Sequence, residues 1–244
     1  MIKNKKLLLI FSTVFLTIDA VLGYLLQAHQ EKTDINIRFA AIVFGCLFLV
    51  LFAEKSLSYL FTQLALVCTV GADYFLVYII NESNPLTEKQ QLPAMIFFSA
   101  AQLAYFLRLY FEDESKTRKI AHLITRAVLS VIAVAATFIV LGKNCNAVAV
   151  VSVFYYANLF LNFVFSCFLI KKNPLLPIGF LLFILCDTVI GLTLLKNFVT
   201  VSPDAFFYKI LYPGFDLCWA FYLPSQALLA VSMLPGRFKR NKAD

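Results

Sequence analysis

Apolar residues run through this chain in long blocks. Polar residues fall between the blocks or singly inside them. Eight blocks stand out, at 7–26, 38–53, 56–80, 92–110, 120–141, 147–170, 177–195 and 208–234. Crossing a hydrocarbon layer of about 30 Å takes about 20 apolar residues in a helix, and most of the blocks reach that length. The connections are short, so no soluble domain fits between them. The pattern predicts an all-α polytopic membrane protein: a single transmembrane domain over 1–244, built as an eight-helix bundle. The first block follows a basic start, Met1 to Lys6, as in a secretory signal. It continues to about Leu26 without a small-residue cleavage site, so it reads as a retained first helix.

Composition agrees. The chain is 61% hydrophobic and 14% charged, against about 25% charged in soluble domains. The net charge of +7 is explained by where the charges lie and gives no support to a nucleic-acid partner. With both termini on one side, that side holds 14 of the 21 basic residues: Lys3, Lys5, Lys6, Lys55, Arg108, Lys116, Arg118, Lys119, Lys171, Lys172, Arg237, Lys239, Arg240 and Lys242. The opposite side holds Lys32, Arg38, Lys89, Lys143, Lys196 and Lys209, and Arg126 falls within the fifth block. Basic loops stay in the cytoplasm, so both termini are expected there. The mixed run from Glu112 to Lys119 reads as a solvated cytoplasmic loop.

Four aspartates, Asp19, Asp73, Asp187 and Asp216, sit inside apolar blocks. A carboxylate in hydrocarbon costs several kcal/mol unless it is protonated, paired or wet, so each marks a functional site by default. A helix rises 1.5 Å per residue, which turns position into depth. All four fall roughly 10–14 Å below the extracytoplasmic ends of their helices. Gln102 and Tyr105 of the fourth block reach the same layer, as do Tyr155, Tyr156, Asn158 and Asn162 of the sixth. In the last block Tyr222 and Gln226 are also four apart and continue the polar face inward. The helices alternate in direction, yet these depths converge. That is the geometry expected of one polar cavity in the extracytoplasmic half of the bundle. Taken singly, the amides also suit interhelical hydrogen bonding, and the tyrosines suit packing with a bonded hydroxyl. Pro85 and Pro93 frame the loop between the third and fourth blocks. Pro213–Gly214 and Pro224 make the last block the expected kinked element.

Asp73 and Asp187 are the most deeply flanked by apolar residues and are the candidate catalytic pair. Two carboxyl groups in one low-dielectric site cannot both ionise cheaply, so one holds a proton while the other is charged. Such a pair supplies an acid and a base for cleavage through an oxocarbenium-like transition state. It equally suits proton coupling in a carrier of lipids or amphiphiles. The six cysteines (46, 68, 145, 167, 186 and 218) lack a CxxC spacing and read as small apolar packing residues. His29 and His122 are placed at helix ends in different loops, which gives no zinc-ligand spacing. No metal or other cofactor is expected.

Five short stretches carry a family resemblance. They are Phe52-Ala53-Glu54-Lys55-Ser56, Val70-Gly71-Ala72-Asp73, Phe98 to Tyr105, Phe183-Ile184-Leu185-Cys186-Asp187 and Phe221-Tyr222-Leu223-Pro224-Ser225-Gln226. In order, these resemble the Lys-Pro, Leu-Gly-Asp, Ser-His-x-x-Tyr, Phe-x-x-Ser-Asp and Tyr-Tyr-x-x-Gln motifs of the YhhN family of membrane proteins. Ser56 stands in place of the proline, Ala72 separates Gly71 from Asp73, Gln102 replaces histidine and Cys186 replaces serine. The resemblance implies an eight-helix layout and a lysoplasmalogenase activity: hydrolysis of the vinyl ether of a lysophospholipid to a fatty aldehyde and a glycerophospho-alcohol. It implies Asp73 and Asp187 as the catalytic pair, without saying which is acid and which base. Tyr105, Asn158, Tyr222 and Gln226 would orient water or a glycerol hydroxyl. Asp19, Gln102, Tyr155, Asn162 and Asp216 complete the expected substrate layer. A non-catalytic lipid-binding protein of the same fold is the other expectation that stays open.

Overall fold

The computed structural model describes residues 10, 11, 13–16, 18, 21, 34–53, 55–78, 88–194 and 217–233. Every regular element among them is helical. The residues described between positions 10 and 21 belong to α1. The others are α2 (Asp34–Phe52), α3 (Leu57–Asp73), α4 (Glu88–Glu112), α5 (Lys116–Leu141), α6 (Ala147–Cys167), α7 (Leu175–Leu194) and α8 (Leu217–Val231). A five-residue π-helix, Tyr74–Tyr78, continues α3 directly beyond Asp73. Among the described residues, five helical stretches are long and apolar enough to cross a membrane: Leu57–Leu76, Lys89–Glu112, Lys116–Asn144, Ala147–Cys167 and Leu175–Leu192. Phe39–Leu51 and Leu217–Val231 are shorter apolar helices. The molecule is an integral membrane protein of helical type.

Helix starts follow local chemistry. Ser56 accepts a hydrogen bond from Tyr59 N (3.1 Å), Ser115 from Arg118 N (3.3 Å) and Asn146 from Ala149 N (2.9 Å). Each satisfies one of the N–H groups that a helix leaves unpaired at its start. Ser56 therefore does at α3 what a helix-starting proline would do without a donor. Pro93 lies inside α4 and not at a loop edge, which corrects the expectation from sequence. It sits in the second turn, where few carbonyls precede it and the cost of its missing N–H is small. Pro224 likewise lies inside α8, which continues through it.

Packing closes six helices into a ring. α2 packs on α3, α3 on α4, α4 on α6, α6 on α7, α7 on α8, and α8 back on α2. α5 lies outside the ring against α6. Its far face exposes Ile124, Val128, Val131 and Ile139, a surface that suits lipid. Phe15 of α1 stacks on Phe48 of α2 (centroids 4.2 Å apart) and joins a cluster with Ala227 and Val231 of α8. The main core fills the ring with Ala65, Ala101, Leu159, Leu176, Phe180, Phe183 and Leu223, among others.

Two glycines set helix spacing. A Cβ at Gly71 would meet the Phe97 ring at 3.0 Å, and one at Gly179 would meet Leu229 at 3.0 Å and Ser225 O at 3.4 Å. Their absence of side chains lets α3 approach α4 and α7 approach α8. Gly71 thus lies level with Phe97, and Phe61 stacks on Phe111 at the other end, so α3 and α4 run antiparallel.

Candidate functional site

Asp73 ends α3 and is 3% exposed. The Tyr222 hydroxyl of α8 donates to its Oδ2 at 2.5 Å. Asp187 lies on α7 and is half-buried. The Tyr155 hydroxyl of α6 donates to its Oδ2. Each carboxyl is thus held by a phenol from a neighbouring helix. Phe183 joins the two phenols: its ring lies edge-on 5.6 Å from Tyr222 and 6.5 Å from Tyr155. Phe98 and Trp219 complete the aromatic wall, at 5.4 Å from Tyr155 and 5.5 Å from Tyr222. The two carboxyls lie within electrostatic range of one another. Beside them, Cys186 Sγ and Cys218 Sγ touch at 3.1 Å as free thiols.

Local structure at Asp73 is unusual. The π-helix begins at the next residue, and such wider turns are rare and gather at functional sites. Ala72, between Gly71 and Asp73, is fully buried. Gly71 brings α3 against Phe97, which holds Asp73 close to α4.

Gln102, Asn158 and Asn162 do not join the carboxyl pair. They surround Arg126 of α5, which is 6% exposed. Arg126 Nη1 donates to Asn158 Oδ1, and Nη2 donates to Asn162 Oδ1 at 2.6 Å. Asn162 Nδ2 passes the network on to Gln102 O and Oε1, both at 2.9 Å. His122 Nε2 lies 3.0 Å from Arg126 Nη2, and its ring stacks on Phe165 at 3.7 Å. Phe106 lies under the guanidinium at 4.4 Å, a cation–π contact. His122 is therefore a buried residue in the second turn of α5, not a loop residue. Arg126, the centre of this buried network, is the residue to which sequence reasoning gave no role. Its signal was plain: an arginine in an apolar block marks a site by the same rule as an aspartate.

A third group of polar side chains is buried without partners. Tyr105 and Arg108 of α4 and Gln226 of α8 are each at most 4% exposed. The Tyr105 hydroxyl, both Arg108 terminal nitrogens, both Gln226 amide atoms, Ser225 Oγ and Gln63 Oε1 have no hydrogen-bond partner. An unmet buried donor or acceptor costs about 1–3 kcal/mol, so these atoms call for water or ligand. Arg108 was expected among the cytoplasmic surface charges. It is instead fully buried, with only Nε paired, to Glu112 Oε1 at 3.0 Å. Tyr156 is exposed and bonds Thr188 (2.9 Å). Asp19 and Asp216 lie outside the described residues.

The expected single polar layer is thus resolved into three groups: the carboxyl–phenol pairs, the Arg126 network, and the unpartnered atoms of Tyr105, Arg108, Ser225, Gln226 and Gln63. No characterised protein and no solved structure matches the chain significantly. The sequence model of the YhhN family matches residues 34–233, a span that contains all three groups, and the chain belongs to the YhhN family.

Proposed function

We propose that this chain is a membrane-embedded hydrolase that cleaves the vinyl ether of lysoplasmalogens. The products are a fatty aldehyde and a glycerophospho-alcohol. One observation carries the reading: two carboxyls inside the bundle, buried Asp73 and half-buried Asp187, each held by a phenol and facing a shared aromatic wall. Membership in the YhhN family supports it.

A vinyl ether is hydrolysed by protonation at carbon. We assign the acid to Asp73, the more enclosed of the two, and the base to half-buried Asp187, which water can reach. The Asp73 proton goes to the alkenyl carbon remote from oxygen, and the double-bond electrons form the new C–H bond. The resulting oxocarbenium ion faces two carboxylates and the π faces of Phe183 and its neighbours. Water adds to the carbon bonded to oxygen and loses a proton to Asp187. The hemiacetal then collapses. Asp187 returns its proton to the glycerol oxygen, the C–O bond breaks, and the hemiacetal hydroxyl proton passes to Asp73. Both carboxyls end as they began, with one water consumed. Tyr222 and Tyr155 fix which carboxyl oxygen points at the substrate.

The test is aldehyde release from 1-alkenyl-lysophosphoethanolamine by the purified protein in detergent with EDTA present. Asp73→Asn and Asp187→Asn should each lower the rate about 10²–10⁴-fold, the usual worth of a positioned acid or base. Undiminished turnover in either variant, or none from well-folded wild type, would refute the proposal.

A further inference from the structure

Arg108 presents a guanidinium whose two terminal nitrogens are buried and unpartnered. Glu112 holds Nε from the next turn of the same helix. That contact fixes the side chain and leaves free the end that grips two oxygens at once. Guanidinium forks of this kind match phosphate geometry. Tyr105 lies one turn away on the same face of α4, its hydroxyl in electrostatic range of Arg108. Register brings further unpartnered atoms to nearby levels: Ser225 and Gln226 of α8, since Ser225 O approaches the position of Gly179 beside Phe180, and Gln63 of α3, since Phe61 stacks on Phe111.

Register between helices gives the distance to the carboxyls. The Tyr105 ring lies edge-on against Phe180 of α7 at 5.2 Å. Asp187 is seven residues further along α7, about 10 Å by helical rise, and Arg108 is three residues the other way along α4. The level difference between Arg108 and Asp187 is then about 15 Å. In a lysoplasmalogen, five bonds separate phosphorus from the vinyl ether oxygen, about 6 Å when extended. A hydrogen-bond contact at each end adds about 3 Å. Together these span about 12 Å, and the remaining ~3 Å is shorter than an arginine side chain. Arg108 is also four residues from the end of α4, near the membrane surface, with the carboxyls deeper. That is how a lysolipid lies in a leaflet, headgroup at the surface and reacting bond below.

From this we infer that Arg108, with Tyr105 and Gln226, forms a phosphate subsite that seats the lysolipid headgroup so that its vinyl ether reaches Asp73 and Asp187. The inference rests on the proposed hydrolase reading, but binding tests it separately. The probes are the uncleavable 1-O-alkyl-lysophosphoethanolamine and its phosphate-free counterpart, 1-O-alkyl-glycerol. Binding is followed by thermal protection of wild type, Arg108→Gln and Arg108→Lys. Arg108→Gln should weaken the phospholipid at least tenfold and leave the alkyl-glycerol unchanged, and Arg108→Lys should restore part of the loss. Equal weakening of both probes, or of neither, would overturn the subsite. So would protection of wild type by inorganic phosphate as strong as that by the lipid, since it would indicate a general anion site. Should Arg108→Gln fold poorly, Gln226→Leu carries the same comparison, with the same selective loss expected. Failure of the hydrolase reading appears elsewhere, as wild type that binds the uncleavable lipid yet releases no aldehyde from the alkenyl one.

Discussion

Arg126 carries a positive charge about 15 Å into α5, ten residues beyond Lys116, and no described carboxylate pairs with it. Neutral oxygens and a ring face take the place of a counterion: Asn158, Asn162 and Phe106. The cost of burying the charge is offset only while these partners stay in place. Asn162 is the hinge of the arrangement, because it accepts from Arg126 and donates to Gln102 on α4. Asn162→Leu should therefore lower stability on the order of 2 kcal/mol, since interhelical hydrogen bonds in membranes are worth about 0.6–2 kcal/mol each. Adding Arg126→Leu should restore part of that loss by removing the stranded charge. Thermal unfolding of the two single variants and the double variant in detergent gives the coupling. Strictly additive losses would mean that the pair does not act as a unit.

Between α4 and α5 only three residues lie outside helix, Asp113 to Ser115. The charge run there looked in sequence like a solvated loop. In the fold it is a tight helical corner. Asp113 is buried and accepts from Ser115 N (2.8 Å), Arg118 Nη2 (2.7 Å) and Arg118 Nε (2.8 Å). The Arg118 hydrogen bonds hold its carboxyl below the usual carboxylate range. A depressed folded value means that the contribution is fully present above the unfolded value, about 4, and is lost as pH falls through the folded one. Arg118 is 42% exposed, so water screens the pair and its contribution is small. The melting-temperature gap between wild type and Asp113→Asn should be open at pH 7 and close on acidification below about pH 4. A gap that widens in acid would contradict this account.

The same corner shows what sequence reading reaches. Apolar blocks located the elements well. The 147–170 block became Ala147–Cys167, and 177–195 became Leu175–Leu194. Ends moved where capping decided them, as at Ser115 and Asn146. Neither level nor rotation could be read in full: Tyr105, expected in the layer of Asp187, packs on Phe180 and lies about 10 Å from it in level. Counting residues sets the level of a side chain along its helix, and Tyr155 and Asn158 do lie close in level. Three residues also turn a helix through about 300°. Tyr155 therefore meets Asp187 on α7 while Asn158 meets Arg126 on α5. Pairing across helices depends on that rotation, and the ring order that fixes it is long-range packing which no single segment encodes.

For the whole molecule, the ring has two ends of different charge. Lys172 Nζ reaches Glu114 at 3.1 Å, and Asn173 Nδ2 donates to Ser232 O at 2.9 Å. These contacts gather the α4–α5 corner, the α6–α7 turn and the end of α8 at one face. The antiparallel register of α3 and α4 adds the start of α3. Among described residues that end carries Lys55, Arg108, Lys116, Arg118, Lys119, Lys171 and Lys172, against Arg38, Lys89 and Lys143 at the other. From that imbalance we propose that the first end, with the buried fork of Arg108, faces the cytoplasm. A lysolipid seated there would come from the cytoplasmic leaflet, with its phosphate at that surface. Single cysteines test the assignment, in a background with the six native cysteines replaced. A membrane-impermeant maleimide added to intact cells should label Lys143→Cys and spare Lys171→Cys until the membrane is permeabilised. The reverse pattern would turn the molecule over. Arg108 would then face the extracytoplasmic leaflet, and the substrate would have to be drawn from lipid on that side.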